Sequence, residues 1–302
     1  MSEENGTPSG CAPSSCKTCS SSSCSAHTKQ GSESDKEFEE RQKLTARLRG
    51  IKHKILVMSG KGGVGKSTVA TNLALGLHLA GKKVGLMDVD IHGPSVPTML
   101  GLEGQQISVS ADGELQPVDL DGLKVISIGF FLNNADDAVI WRGPVKIGVI
   151  TQFLRDVEWG DLDYLIVDLP PGTGDEPLTV AQTIPGADGA VIVTTPQKVA
   201  AVDVRKSISF CRKINLPILG VVENMSGYVC PCCGEETAVF RSGGGKTMAE
   251  DMQVPFLGSV PIDPKIAEAG DSGEPFIKRY SESQTAMHLQ EIIKPILKLT
   301  SP

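Results

Sequence analysis

The 302-residue chain contains no run of about 18 apolar residues, so no segment reads as a membrane-spanning helix. Its first thirty residues lack the positive n-region and apolar h-region of a secretion signal, and with no h-region before Cys11 a lipoprotein cysteine is excluded too. Positive charge is not in excess: 29 Lys and Arg face 36 Asp and Glu, for a formal net charge of −7. That balance argues against a surface that coats DNA or anionic membranes. A cytoplasmic location is expected, with neither nucleic acid nor membrane as a partner. Residues 1 to about 35 hold almost no large apolar side chains and are rich in Ser, Gly, Thr and Cys. Such a segment cannot repay the entropy of ordering without a ligand, and is expected to be a disordered, Cys-rich tail. The following "KEFEERQKLTARLRG" is charged with sparse apolar positions, and reads as an exposed helix or linker ending at Gly50.

From about Ile51 the pattern changes. Strand-like "KILVMS", "KVGLMD", "DYLIVDLP", "GAVIVTT" and "ILGVVEN" are continuous apolar runs separated by helical stretches, as in a parallel sheet buried on both faces. The expected fold is α/β, a doubly wound and mainly parallel sheet. "ISVSADGELQPV" reads as an inserted hairpin turning at Asp112-Gly113, and Gly81 should stop the helix "STVATNLALGLHLAG". The terminal "SQTAMHLQEIIKPILKL" is amphipathic but interrupted by Pro295 with a weakly basic polar face, which favours a core-packing helix over a membrane-targeting one.

The first strand runs into "GKGGVGKST", a G-x-x-x-x-G-K-[ST] loop opening a helix. Its glycines let consecutive N–H groups face one phosphate at the positive end of that helix. Gly60, Lys61, Gly62, Gly63, Val64, Gly65, Lys66, Ser67 and Thr68 are the candidate ATP contacts, with Lys66 on the β and γ phosphates and Ser67 on Mg²⁺. "DVDIHGPS" places Asp88 and Asp90 at a strand's carboxyl end, where Asp90 is the candidate to position the attacking water and Asp88 a supporting carboxylate. In "DLPPGTGDE", Asp168 falls where a Walker-B carboxylate reaches the Mg²⁺ shell, and Gly172 is suited to sense the γ-phosphate through its N–H. "SGGGKTMAED" lacks P-loop spacing and no strand feeds it, so it reads as a turn or helix entry.

Lys61 is extra to the ordinary loop. With "DVDIHGPS" and "DLPPGTGDE", the loop resembles the deviant Walker-A ATPases, the group of MinD, ParA and the nitrogenase iron protein. That resemblance implies a two-fold dimer in which Lys61 reaches the partner's nucleotide, making Lys61, Lys66 and Asp90 the catalytic set. It also implies that Asn224, in "NMSGY", lies near the adenine; "WRGPV" is informative mainly through the resemblance, and Trp141 on its own reads as a core anchor. The chain divides into residues 1–50, tail and linker, and 51–302, the P-loop ATPase domain.

The eight cysteines fall in two clusters and one isolated position. Cys211 sits in the apolar pattern "SISFCRKI" and reads as a packing thiol. In "GYVCPCCGEE", Cys230 and Cys233 form a C-x-x-C that points two thiolates at one metal. Two thiolates do not close a tetrahedral site; a two-fold dimer supplies four, suiting a bridging 4Fe-4S cluster or a shared Zn. At this point the resemblance narrows to the Mrp/ApbC family of P-loop iron-sulfur cluster carriers, through "MSGKGGVGKST", "MDVDIHGPS", "WRGP", "DLPPGTGDEPLT", "ENMSGYVCPCCGE" and "LGSVPIDP". It implies a homodimer, or a heterodimer with a paralogue, that binds ATP and Mg²⁺, assembles a labile 4Fe-4S cluster and passes it to apo-proteins. Cys232 departs from the pattern and could compete as a ligand. The tail's Cys11, Cys16, Cys19 and Cys24 are similar to the N-terminal cluster of the eukaryotic cytosolic scaffold branch, with a shorter first gap; a zinc knuckle and adventitious thiols stay open. The alternatives are a MinD/ParA-like spatial regulator and an electron-transfer ATPase like the nitrogenase iron protein.

Overall fold

The computed structural model describes residues 29, 33–91, 93–131, 143–184, 186–230, 233 and 235–300. The expectations for Cys11, Cys16, Cys19, Cys24, Trp141 and Cys232 concern residues outside that set. In chain order the elements begin α1 (Asp35–Arg49), β1 (Ile51–Ser59), α2 (Lys66–Leu79), β2 (Val84–Asp88), α3 (Val96–Met99), β3 (Ser108–Val109) and β4 (Leu115–Gln116). Then come β5 (Val118–Leu120), β6 (Leu123–Ser127), α4 (Gly143–Asp156), β7 (Leu162–Asp168), α5 (Asp175–Thr183), β8 (Gly189–Thr194) and α6 (Lys198–Lys213). The last are β9 (Ile218–Val229), β10 (Glu236–Thr237), α7 (Gly244–Asp251), β11 (Phe256–Ile262), α8 (Pro264–Ser272), α9 (Phe276–Arg279) and α10 (Gln284–Leu297).

The main sheet runs β10-β9-β8-β1-β7-β2-β6-β5, with β11 also paired to β9. β10 and β5 pair antiparallel with their neighbours and the other pairings are parallel, so the expected mainly parallel sheet is what forms. Continuous apolar strands succeed here because both faces are covered. In β1, Ile55 and Val57 enter one core while Leu56 and Met58 enter the other; β8 splits Val191 and Val193 from Ala190 and Ile192 in the same way. The first core is closed by α2 and α10, the second by α4 and α6.

β3 and β4 form a small antiparallel hairpin whose turn is closed by the Gly113 N–H donating to the Ser110 carbonyl, as Asp112-Gly113 predicts. α2 ends at Leu79 with Gly81 in the left-handed region, the expected stop. α10 buries Ala286, Leu289, Ile292, Ile293 and Ile296, so its apolar face belongs to the core. Among the described residues no helix is long and apolar enough to cross a membrane.

One element differs from expectation. Residues 35–49 form a helix started by a Ser34/Glu37 capping box, but it is docked rather than merely exposed. Leu48 is buried, and ion pairs tie Arg47 to Glu114 and Glu40 to Arg155. Sparse apolar positions hid this contact because charged side chains make much of it.

Cys211 is fully buried on α6 with its Sγ 3.4 Å from the Met58 Sδ, and burial pushes its thiol up to about 12. In the native, reduced protein at pH 8, iodoacetamide should leave Cys211 unmodified while exposed Cys233 reacts, as read by peptide mass spectrometry. Comparable labelling of the two would contradict this.

Candidate nucleotide and thiolate site

Parallel pairing brings the acids together. Register sets Asp88 at the end of β2 beside Asp168 at the end of β7, and Asp168 beside Val57 of β1, three residues before the P-loop. All three strands therefore deliver side chains to the carboxyl edge of the sheet, where the loop from Gly60 to Gly65 turns into α2.

The loop is held from two sides by residues distant in sequence. A Cβ on Gly60 would come within 2.5 Å of the Asp203 backbone, and one on Gly65 within 2.1 Å of the Asn224 Nδ2. Gly65 also has φ +80°, a conformation glycine adopts without strain. As the N-cap of α2 it offers no side chain of its own to the anion-binding end of the helix. Asn224 donates Nδ2–H to the Val64 carbonyl at 2.9 Å.

Lys66 is buried, its Nζ 2.6 Å from Asp168 Oδ1, 3.4 Å from Asp90 Oδ2 and 3.2 Å from Ser67 Oγ. Among the described residues, Asp168 Oδ2 and Asp90 Oδ1 are buried with no hydrogen-bond partner. Unpaired carboxylate oxygens beside a hydroxyl make a hard-oxygen donor set that suits Mg²⁺. Burial pushes Asp168 upward against the opposing Lys66 charge. Asp88 is raised to about 8, by burial first and then by the neighbouring Asp168 charge. Its carboxyl accepts the Asp90 N–H at 3.1 Å and the Ser127 hydroxyl at 2.9 Å; Ser127 had no signal in the sequence.

This yields a pH prediction. A carboxyl raised from its ordinary value stabilises the fold below pH 4 and loses that contribution as pH climbs through about 8. Asp88→Asn, which mimics the protonated acid, should therefore raise the melting temperature by several degrees at pH 8 and by little at pH 5. Calorimetry of both proteins across that range checks it; parallel curves would refute it.

Other expected contacts fall differently. Lys61 is half-buried, and its ammonium has no ion-pair partner among the described residues. The Gly172 N–H donates to the Ser59 carbonyl at 2.8 Å, so in this structure the group braces the strand-to-loop junction. Asn224 also lines a cavity of about 500 Å³ beside the loop, with Gly65, Thr68, Phe240, Pro261 and Ile266. Of these linings, Phe240 and Ile266 carried no sequence signal.

The C-x-x-C follows the carboxyl end of β9, the strand that carries Asn224 at its middle. β9 continues to Val229 and turns back as β10, with Glu236 opposite Val229 and the Cys230 N–H donating to the Glu235 carbonyl at 3.0 Å. Cys233 is exposed and Cys230 half-buried at the hairpin tip, and neither is in a disulfide. Among the described residues no three His, Cys, Asp or Glu side chains group to hold a metal ion.

Comparison with known proteins agrees with this geometry. A family model described as ParA: NUBPL iron-transfer P-loop NTPase matches residues 50–297. The chain is 54% identical over 261 residues to a protein of Trichoplax adhaerens named cytosolic Fe-S cluster assembly factor NUBP2 homolog, covering 85% of this chain and 97% of that protein. It is 51% identical to a Saccharolobus solfataricus protein named iron-sulfur cluster carrier protein, covering 85% and 87%. Among solved structures, a nucleotide-binding protein of Archaeoglobus fulgidus in complex with ADP superposes with a TM-score of 0.71 at 41% identity, covering 82% of this chain and 95% of that one. A phosphate loop with its buried acids, a thiol pair on the strand behind it and these likenesses converge: the chain belongs to the NUBPL iron-transfer family of P-loop NTPases.

Proposed function

We propose that this chain binds and hydrolyses ATP and carries a labile 4Fe-4S cluster, which two copies hold between them and pass to apo-proteins. The observation that carries this reading is the Cys230/Cys233 hairpin, which supplies two thiols at the end of the strand whose Asn224 grips the phosphate loop. Four thiolates complete a cluster site, so the cargo calls for a second chain, either another copy or a paralogue.

At the nucleotide, the N–H groups of residues 62–67 and the Lys66 ammonium would take the phosphates, and Asp90 would orient the attacking water. Mg²⁺, when bound, supplies charge neutralisation for those phosphates, held by Ser67 and Asp168. Lys66 would then exchange Asp168 for phosphate. Lys61, which has no ionic partner among the described residues, would act across the dimer on the other copy's nucleotide. The cavity beside Asn224 and Pro261 would take the adenine. The tail cysteines Cys11, Cys16, Cys19 and Cys24 would hold a separate cluster or Zn, and a relative named cytosolic supports a cytoplasmic location.

The regulator alternative needs a free amphipathic helix, whereas the apolar face of α10 is buried in the core. Anaerobic reconstitution with iron and sulfide, followed by transfer to an apo iron-sulfur acceptor with ATP, ADP or no nucleotide, tests the proposal. About four irons per two chains on the domain, with transfer to the acceptor, is the expected result. A cluster that is stable and redox-active but never transferred would favour electron transfer, and binding of Zn alone would overturn the carrier reading.

A further inference from the structure

The buried acid Glu223 plays no part in the chemistry described above. Its carboxylate accepts the Ser226 hydroxyl at 2.5 Å and the Gly243 N–H at 2.8 Å through Oε1, and the Gly245 N–H through Oε2. The glycine-rich "SGGGK" segment is thus a helix entry whose anion site is filled from within the chain by a carboxylate.

What lies between these partners gives the contact its meaning. Glu223 and Gly243 are twenty residues apart, and the chain between them contains the end of β9, the cysteine turn and β10. One carboxylate therefore ties both legs of the thiol-bearing hairpin at their base. Above that base the backbone passes through left-handed conformations at Met225 (φ 58°) and Gly227 (φ 78°). A methionine in that region is strained and persists only where its surroundings hold it. The next residue after Glu223 is Asn224, bound to the phosphate loop.

We propose that Glu223 is a positioning residue for the Cys230/Cys233 pair: it clasps the base of the hairpin and so restrains the separation and exposure of the two thiols. Its relevance to cargo rests on the carrier reading, but the clasp itself can be tested without cargo.

The test uses the full reduced chain, its Glu223→Gln variant and its Ser226→Ala variant. Glutamine keeps the size but turns an amide N–H₂ toward backbone donors, and alanine at 226 removes one of the donors. Peptide-resolved iodoacetamide labelling of Cys230 and amide hydrogen exchange over residues 226–245 are read on each. Opening of the base should speed Cys230 labelling about tenfold in Glu223→Gln and by less in Ser226→Ala, with faster exchange confined to that segment. Cys211 should stay unlabelled, which reports an intact core; should Glu223→Gln fail that check, Ser226→Ala decides. Labelling and exchange equal to wild type would overturn the clasp. On reconstituted protein, iron release to a chelator should quicken in the same order. A wild-type protein that binds no cluster would sink the carrier reading, while the labelling still decides the clasp.

Discussion

Lys66→Ala is expected to lower ATP turnover by at least about 10²–10³-fold, the loss that follows removal of one preorganised group stabilising developing charge. The structure adds a second consequence. Lys66 neutralises a buried carboxylate at 2.6 Å and approaches another at 3.4 Å, so its removal strands Asp168 and Asp90 in a low-dielectric site. Breaking one side of a buried pair costs about 3–5 kcal/mol. Here Asp168 can escape part of that cost by taking up a proton. Below pH 4 it is neutral in folded and unfolded chains alike, and the loss of Lys66 is cheapest. As pH rises, the unfolded chain ionises first, and the folded protein pays increasingly for an acid that burial holds above its ordinary value. Urea denaturation should show a larger deficit at pH 8 than at pH 5, and Asp168→Asn in the same background should recover part of it. A deficit independent of pH would contradict this account of the site.

The second large effect concerns the cargo. Cys230→Ala/Cys233→Ala is expected to remove about four irons per two chains after reconstitution, with loss of the accompanying visible absorption. Unfolding is not expected to imitate this result: Cys233 is exposed, where substitutions shift stability by about 0.5 kcal/mol or less, and Cys230 is half-buried. Cys211→Ala supplies the contrast: it creates a small cavity in the core beneath α6 but touches no metal site, so it should keep its iron. Iron content and Mössbauer spectra of the variants distinguish these outcomes. Retention of the full iron complement by the double variant would move the cluster to other cysteines and overturn the assignment of the pair.

Much of this molecule was legible before any coordinates. The P-loop, the helix stop at Gly81, the Asp112-Gly113 hairpin, the apolar strands and the C-x-x-C are short-range patterns, decided by backbone freedom, periodicity and ligand spacing within a few residues. Tertiary structure decided the rest. Lys66 and Asp168 are separated by 102 positions, Asn224 and Val64 by 160, and only the parallel register of β2, β7 and β1 and the path of β9 bring them together. The Gly172 N–H looked available until the loop after β7 crossed the end of β1 and found the Ser59 carbonyl. The glycine-rich turn before α7 could be recognised as a helix entry, but not as the seat of Glu223, because which anion fills a helix end depends on which strand is packed against it. Local chemistry names the groups a chain possesses; burial and strand order determine which of them meet, and with what charge.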